Sequence, residues 1–148
     1  MTRPINEITG IIVDSALKIH RRFGPGLLES VCQKLLAREL ERRGLRVDVN
    51  RMISFEFDGL RFERALTIDL LVEDSVVVEV KSVEKMAPVH FKQVLTYLRV
   101  TGLTVGLLIN FGLARLKDGI ERVANNYGEA TSHESEIDES SAEQPYPD

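Results

Sequence analysis

The sequence contains one cysteine, Cys32, so no disulfide bond can form within the chain. This scarcity favours a reducing, intracellular compartment and excludes the class of small disulfide-stabilised domains. The first residues lack the charged start and apolar core of a signal peptide. The longest apolar stretch, residues 103–114, is interrupted by Thr104 and Asn110 and is shorter than the roughly 20 residues of a membrane helix. We therefore expect a soluble, cytoplasmic protein without a membrane partner.

Positive charge is absent from the last part of the chain. All 19 lysines and arginines lie at or before Arg122, whereas seven of the 23 acidic residues lie at positions 129–148. Residues 1–126 thus carry a net charge of +3, and residues 127–148 carry −7. The second segment is rich in Gly, Ser, Glu, Asp and Pro, which predicts a disordered acidic tail. The first segment is long enough for one domain that buries roughly two-thirds of its unfolded surface.

Apolar residues recur at helical spacing in the first part of the chain. Isoleucine and alanine side chains three or four positions apart predict a helix over residues 5–22. Gly24-Pro25-Gly26 interrupts this pattern. A second apolar stripe predicts a helix that begins near Leu28 and ends at Gly44, a plausible C-terminal cap.

After Gly44 the apolar period changes to two, which is typical of β-strands. Asp58-Gly59, between two such runs, predicts a hairpin turn. Another turn is predicted at residues 73–75, so this part of the chain forms an antiparallel meander. Its alternating or apolar runs are residues 45–49, 53–57, 65–72 and 76–83.

The remaining apolar segments complete an α/β pattern. Pro88 begins a predicted helix that ends near Gly102, and residues 104–111 are typical of a buried strand. The secondary structure of residues 116–123 is ambiguous, and we expect a short terminal element there. The order of two helices, meander, helix and strand predicts an α/β domain in which a mixed β-sheet is flanked by helices.

Three charged residues interrupt the apolar strands of the predicted meander. In Val76–Lys81, alternation places Glu79 and Lys81 on the same face of the strand. Asp69 lies in the equally apolar run before the turn at residues 73–75. If the two strands pair about that turn, residues whose numbers sum to about 148 face each other, which places Asp69 opposite Glu79.

Two neighbouring carboxylates in an apolar sheet require a positive charge to neutralise them. Carboxylate oxygens are hard ligands that suit Mg²⁺ or Mn²⁺. Lys81 is then placed to orient, or help deprotonate, a water that attacks a phosphodiester phosphorus. The alternative is structural: Glu79 and Lys81 form a partly buried ion pair and Asp69 is a strand-end residue, as expected for most Glu-x-Lys tripeptides.

Polar residues on two predicted helices are further candidates. Gln93 and Tyr97 lie one helical turn apart, and His90 precedes Gln93 on the same side. These side chains face either one cleft or the solvent, with Tyr97 half-buried in the second case. Glu29 lies in the first turn of the second helix, where the helix dipole alone favours a glutamate. It has a chemical role only if this helix end packs against the metal.

Taken together, these residues resemble the GxxExxY protein family of the PD-(D/E)XK nuclease superfamily. The resemblance covers about residues 5–123 and depends on the joint order of its motifs, each of which is weak alone. It implies a restriction-endonuclease-like core. The matching motifs are Gly26-Leu27-Leu28-Glu29, Ile68-Asp69, Glu79-Val80-Lys81, Gln93 to Tyr97, and Gly106-Leu107-Leu108-Ile109-Asn110-Phe111-Gly112.

The resemblance implies a role for each residue of the predicted site. Asp69 and Glu79, with the backbone carbonyl of Val80, would bind Mg²⁺ or Mn²⁺. Lys81 would act on the attacking water. Glu29 would be the helical acidic residue that completes the metal site.

The resemblance extends to the next helix and has two departures. Gln93 and Tyr97 match the Gln-x-x-x-Tyr signature of the RecB-like branch, which supports the metal site or the substrate. We assign His90 to the same supporting role, because it lies on the same side of the predicted helix. Cys32 stands where the family name expects tyrosine, so the function of that phenol is absent or altered. Cys32 either lines the cleft or is a small buried residue. Ile68 precedes Asp69 where the superfamily name has proline.

Three functions are compatible with the sequence. The first is a Mg²⁺- or Mn²⁺-dependent nuclease that acts on nucleic acid, with DNA favoured over RNA. The second is a catalytically silent nucleic-acid- or protein-binding module, because the domain is weakly basic and lacks a Lys/Arg stripe with interleaved aromatics. The third is a regulatory or interaction protein whose acidic tail imitates nucleic acid and blocks the cleft. A homodimer would supply two cuts, although the sequence has no unambiguous self-complementary patch.

Overall fold

The computed structural model describes residues 3–125, so the predicted tail at residues 127–148 lies outside the described residues. The described part contains three α-helices, five strands and two short 3₁₀ turns at Gly24–Gly26 and Leu116–Gly119. In chain order the helices and strands are α1 (Ile5–Phe23), α2 (Glu29–Arg42), β1 (Val47–Phe57), β2 (Leu60–Val72), β3 (Val76–Lys81), α3 (Pro88–Thr101), β4 (Val105–Asn110) and β5 (Ile120–Ala124).

Glycine and proline set the ends of the helices close to their predicted positions. α1 ends before Gly24, whose φ of 75° is a conformation that other residues rarely adopt, and Pro25 follows it. α3 begins with Pro88, whose missing N–H is tolerated in a first turn. It ends at Gly102, which adopts the left-handed conformation with φ 76°.

The five strands form one mixed sheet in the order β1-β2-β3-β4-β5. β1, β2 and β3 are antiparallel neighbours, β3 and β4 are parallel, and β5 is antiparallel to β4. The crossover from β3 to the parallel β4 contains α3. This topology confirms the predicted meander and mixed sheet, and the ambiguous segment at residues 116–123 is a 3₁₀ turn followed by β5.

The hairpin of β2 and β3 has the register that its turn predicts. The residue numbers of each pair sum to 148, as expected for a turn centred on Asp74. Asp69 is the residue of β2 that precedes the first pair. The pairs are Leu70 with Val78, Leu71 with Val77, and Val72 with Val76.

The first two strands are longer than predicted. The alternating runs at residues 45–49 and 53–57 belong mostly to one strand, β1, because a shift in its register with β2 lets pairing continue through the interruption. β2 begins five residues earlier than predicted. Its first residue, Leu60, pairs with Phe57 directly across the Asp58-Gly59 turn, so pairing starts as soon as the turn ends.

The central strands are buried on both faces of the sheet. One apolar cluster contains side chains from α1, α2 and one sheet face, including Val78 and Val80. A second cluster, which we call the α3 cluster, contains side chains from α3 and the opposite face of the sheet, including Val77. Strand alternation places Glu79 on the same face as Val77, below α3. A charged side chain at this position therefore lies where the fold otherwise places apolar ones.

Candidate active site

Glu79 is the most buried charged residue of the central strands. It lies in β3 beside β4, and its side chain and backbone together are 4% exposed. Within the described residues its Oε1 is buried and has no hydrogen-bond partner. Its Oε2 lies 3.5 Å from the ammonium Nζ of Lys81. Burying a carboxylate oxygen without a partner is energetically unfavourable, so a bond from an external group to Oε1 would be stabilising.

Asp69 lies close to Glu79 because of the β2–β3 hairpin. Its Oδ2 accepts a hydrogen bond from the backbone N–H of Val80 at 2.9 Å, and the residue is half-buried. The negative charge of Asp69 is also one of the causes of the raised pKa of Glu79. The structure thus brings Asp69, Glu79 and Lys81 together at one end of this hairpin.

Burial and mutual repulsion oppose the ionisation of both carboxyl groups. Burial, followed by the charge of Asp69, raises the pKa of Glu79 to about 7, against the opposing effect of Lys81. Burial also raises the pKa of Asp69, although the N–H of Val80 opposes this change. Shifts of this kind are typical of functional sites, and buried ion pairs produce them as well.

Glu29 lies near the two carboxylates but is not joined to them. It is in the first turn of α2, and the residue is exposed. Its negative charge makes a minor contribution to the raised pKa values of Asp69 and Glu79. Across residues 3–125, no three carboxylate, imidazole or thiol groups lie close enough together to hold one metal ion. The described site is therefore a carboxylate pair with a third acidic residue at its edge.

α3 brings its predicted polar residues to the same side as Glu79. The Gln93 amide nitrogen donates a hydrogen bond to the Tyr97 hydroxyl at 2.7 Å. Burial raises the pKa of Tyr97, and the negative charge of Glu79 adds to this rise, so the phenol lies within electrostatic range of that carboxylate. Tyr97 is 8% exposed, so it is more buried than the half-buried tyrosine expected for a solvent-facing helix face.

His90 has a structural contact at the start of α3. Its Nδ1 accepts a hydrogen bond from the backbone N–H of Ala87 at 3.2 Å. Burial lowers the pKa of His90, and the positive charge of Lys81 lowers it further. The ring therefore lies near Lys81 while one of its nitrogens caps the helix.

Gln33 is a site residue that the sequence analysis missed. It lies one helical turn after Glu29 on α2 and is 9% exposed. Its amide nitrogen donates to Oδ1 of Asn50 at 2.7 Å and to the backbone carbonyl of Asp69 at 3.1 Å. A glutamine one helical turn after Glu29 was the signal available in the sequence. Gln33 thus links α2 to the strand that carries Asp69.

Asn110, at the end of β4, holds the chain that follows Lys81. Its side-chain oxygen accepts from the N–H of Val83 at 3.0 Å, and its amide nitrogen donates to the Val83 carbonyl at 2.9 Å. These bonds replace strand pairing, so β3 ends at Lys81 and not at Val83 as predicted. Gly112 permits this close approach, because a Cβ there would lie 2.5 Å from the Val83 carbonyl oxygen. Ser82 adds a bond to the carbonyl of Leu27 at 2.7 Å.

Cys32 is a small buried residue and does not line the site. It is 0% exposed and belongs to the apolar cluster of α1 and α2. Burial raises the pKa of its thiol. Of the two interpretations left open by the sequence, the structure supports the packing one.

The donor set fits a hard divalent cation. Asp69 and Glu79 supply carboxylate oxygens, and the orphaned Oε1 of Glu79 is buried where a cation would neutralise its charge. Val80, whose carbonyl is the additional predicted ligand, follows Glu79 in β3 and pairs with Ile109 of β4. The one cysteine, Cys32, lies in the apolar cluster on the other face of the sheet and supplies no thiolate here.

A separate cavity lies between the start of α3 and the β4–β5 side of the sheet. Its volume is about 500 Å³, and none of the predicted metal-site residues lines it. The carboxylate pair therefore lies outside this cavity, at the end of the hairpin. The cavity-lining residues are Met86, Ala87, Pro88, Phe91, Lys92, Leu108 and Glu121.

Comparison with known proteins agrees with the observed fold. A family model described as the PD-(D/E)XK nuclease superfamily matches residues 6–123, so the chain belongs to that superfamily. The matched range covers all three helices except Ile5, the first residue of α1, and excludes the predicted acidic tail. No curated protein matches the chain. Among the described residues, no helix is both long and apolar enough to cross a membrane.

Proposed function

We propose that this protein is a Mg²⁺- or Mn²⁺-dependent nuclease that hydrolyses phosphodiester bonds in nucleic acid, with DNA favoured over RNA. Within the superfamily we assign it to the GxxExxY family and the RecB-like branch, on the joint order of its motifs from Gly26 to Gly112. We expect it to act in the cytoplasm, in keeping with its single cysteine.

The observation that carries this proposal is the state of Glu79. A glutamate that served only as an ion-pair partner would direct both oxygens at hydrogen-bond donors. Instead, its Oε1 is buried without a partner beside a second carboxylate, and Lys81 contacts only the Oε2 side among the described residues. Such an arrangement is unfavourable for a purely structural residue and suitable for a ligand of a hard cation.

Asp69 and Glu79 would hold the metal ion together with the Val80 carbonyl, and the exposed side chain of Glu29 would have to reorient to complete its ligands. When bound, a divalent ion supplies Lewis-acid polarisation of the phosphate and stabilises its developing negative charge. Lys81, as an ammonium group, orients the attacking water, and its positive charge favours loss of a proton from that water to the solvent.

The polar residues of α3 have supporting roles in this proposal. Gln93 is fixed by its bond to Tyr97. We assign it to the catalytic set, in which its amide oxygen would contact the reacting groups. Tyr97 supports that amide from within the apolar cluster. His90 lies near Lys81 and is available to contact the substrate.

Cleavage assays with the purified full chain test the proposal. Plasmid and single-stranded DNA would be incubated with Mg²⁺, Mn²⁺ or EDTA, and an RNA of equal length would be compared. We expect metal-dependent cleavage that Lys81→Ala and Glu79→Gln abolish. Lys117→Ala is the matched control, because this exposed lysine lies outside the site and its loss should leave cleavage unchanged. A folded wild-type protein that binds neither ion by calorimetry would contradict the proposal.

A second candidate function is a catalytically silent module that binds nucleic acid or protein. It is favoured by the 3.5 Å contact of Lys81 with Glu79 and by the lack of a third ligand group close to the carboxylate pair within residues 3–125. Under this alternative, nucleic-acid affinity would be the same in Mg²⁺ and in EDTA. The Lys81→Ala variant would then change affinity without any cleavage to lose.

A further inference from the structure

β1 and β2 continue beyond the main sheet as a two-stranded ribbon, which we define as residues 51–66. β3 pairs with Leu70, Leu71 and Val72, so within the described chain the earlier part of β2 pairs with β1 alone. Two strands by themselves are marginally stable in water unless a face is covered. The ribbon therefore depends on what packs against it.

One face of the ribbon is apolar along its whole length. Alternation along β1 and cross-strand pairing with β2 place six apolar side chains on this face. The inner pair, Ile53 and Leu66, packs against the α3 cluster, whereas Phe57 is 70% exposed and Leu60 is 61% exposed. The six side chains form three cross-strand pairs, which are Ile53 with Leu66, Phe55 with Phe62, and Phe57 with Leu60.

The aromatic pair in the middle of the face is ordered by its own contact. The ring centroids of Phe55 and Phe62 lie 5.2 Å apart at an interplanar angle of 32°. Phe62 is nevertheless 43% exposed. The stripe thus runs without interruption from the buried core to the tip of the hairpin.

The charges of the ribbon argue against nucleic acid as its occupant. Residues 51–66 contain three arginines and three acidic residues, so the ribbon has no net charge. Arg61 lies opposite Glu56 on the other face and contacts Glu63 at 2.6 Å. Phosphate binding needs an excess of cationic side chains, which this apolar face does not provide.

We propose that this apolar ribbon face is a homodimer interface and that its occupant is the same face of a second copy of the chain. A face built from three apolar pairs is self-complementary, since a two-fold axis packs each copy's stripe on the other's.

The exposed area agrees with a dimer of modest affinity. The exposed fractions of Phe57, Leu60 and Phe62 correspond to roughly 300 Å² of apolar surface per copy, given the size of these side chains. Two copies would bury roughly 600 Å² of apolar surface, which is between a third and a half of the roughly 1,600 Å² that a standard stable interface buries in total. The polar side chains that border the stripe would supply the remainder.

The interface would lie next to the candidate active site. The ribbon leaves the sheet just before Asp69, and β2 extends from there past the end of β3 that carries Lys81. A dimer formed through the ribbons therefore brings both carboxylate pairs to the borders of one interface. This inference concerns assembly and is independent of whether the protein cleaves nucleic acid.

Sedimentation velocity of the full chain tests the proposal over a concentration range of about 1 to about 100 µM. We expect the wild type to shift from monomer to dimer and the double variant Phe57→Ser/Leu60→Ser to remain monomeric, with a dissociation constant raised at least tenfold. Met52→Ser is the matched control. Met52 is 54% exposed on the same strand but on the opposite face, so its loss should not change dimer formation.

Far-UV circular dichroism and thermal unfolding of each variant establish that the fold is retained, which both exposed positions should allow. A second variant, Phe62→Ser, removes the central contact and should weaken the dimer by itself. A wild type that stays monomeric at the highest concentration overturns the proposal. The proposal is also overturned if the folded double variant dimerises as well as the wild type. It is likewise overturned if the protein is monomeric and the ribbon variants lower its affinity for DNA.

Discussion

The carboxylate of Asp69 accepts a hydrogen bond from the backbone N–H of Val80 at 2.9 Å. The strand that carries Glu79 and Lys81 therefore also orients the carboxylate on the neighbouring strand. A backbone donor is not removed by side-chain substitution, so the position of Asp69 and its charge can be tested separately.

Asp69→Asn should remove the charge of this side chain and keep its position. The amide oxygen can still accept the Val80 N–H, and the repulsion of Glu79 is lost, so the variant should be at least as stable as the wild type at pH 8. Binding of Mn²⁺ by calorimetry should be abolished. Asp69→Ala should lose the same binding and also about 1 kcal/mol of stability in urea unfolding, because the Val80 donor loses its partner. Unchanged Mn²⁺ affinity in both variants would exclude Asp69 as a ligand.

Glu79→Gln should change how stability depends on pH in EDTA. The pKa of Glu79 is about 7 in the folded protein against an ordinary value of 4.5, so the folded state binds this proton more tightly than the unfolded state. The resulting stabilisation is complete below pH 4.5 and is lost as pH rises through about 7. Between these limits the wild type should lose up to about 3 kcal/mol relative to the variant, whose amide does not titrate.

Urea unfolding at pH 5 and pH 8 measures this difference. Added Mg²⁺ should stabilise the wild type at pH 8 and leave the variant unchanged, since only the carboxylate attracts the ion. Parallel pH profiles for the two proteins would show that Glu79 does not carry the raised pKa.

Gln33→Leu tests whether α2 positions Asp69. The substitution keeps most of the side-chain volume but leaves Oδ1 of Asn50 and the carbonyl of Asp69 without this donor. The loss should cost about 1–3 kcal/mol of stability and weaken Mn²⁺ binding several-fold, with the cleavage rate reduced more than substrate affinity. Lys34→Ala, an exposed change on the same helix turn, is the control and should alter neither. A loss of stability with normal metal binding would make Gln33 a packing residue only.

The position of Asp69 beside the strand that carries Glu79 could be predicted because local rules determine it. The turn at residues 73–75 fixes the register of β2 and β3, and the two-residue period of a strand fixes the face of each side chain. The same rules predicted that Glu79 and Lys81 share a face, and their 3.5 Å contact agrees with it.

Other parts of the site depend on contacts that sequence spacing does not encode. Asn110 holds Val83 because β4 lies parallel to β3, a pairing of strands separated by α3. The distance of Glu29 from the carboxylate pair is set by how α2 packs on the sheet, which helical periodicity leaves open. The length of the ribbon depends on a register shift between Ile53 and Phe55, which no pattern in the sequence predicted.

Truncation after residue 126 should leave the thermal midpoint nearly unchanged. The composition of residues 127–148 predicts that they bury little surface, whereas the last described contacts belong to Asn125. Its backbone N–H donates to the carbonyl of Thr104 at 2.8 Å, and its side chain donates to Leu103 at 3.2 Å, so this truncation retains both bonds.

Truncation after Arg122 is the contrasting case. It removes Asn125 and Val123, which is 1% exposed in the α3 cluster, and should lower the midpoint by several degrees. The tail also carries −7 beside a domain of +3, so its removal tests the autoinhibitory hypothesis directly. Higher DNA affinity of the chain truncated after residue 126, at unchanged stability, would support competition between tail and nucleic acid. Equal DNA affinity of the truncated chain and the full chain, at low salt as well as at high salt, would exclude it. Competition between charges should be strongest at low salt, because added salt screens them.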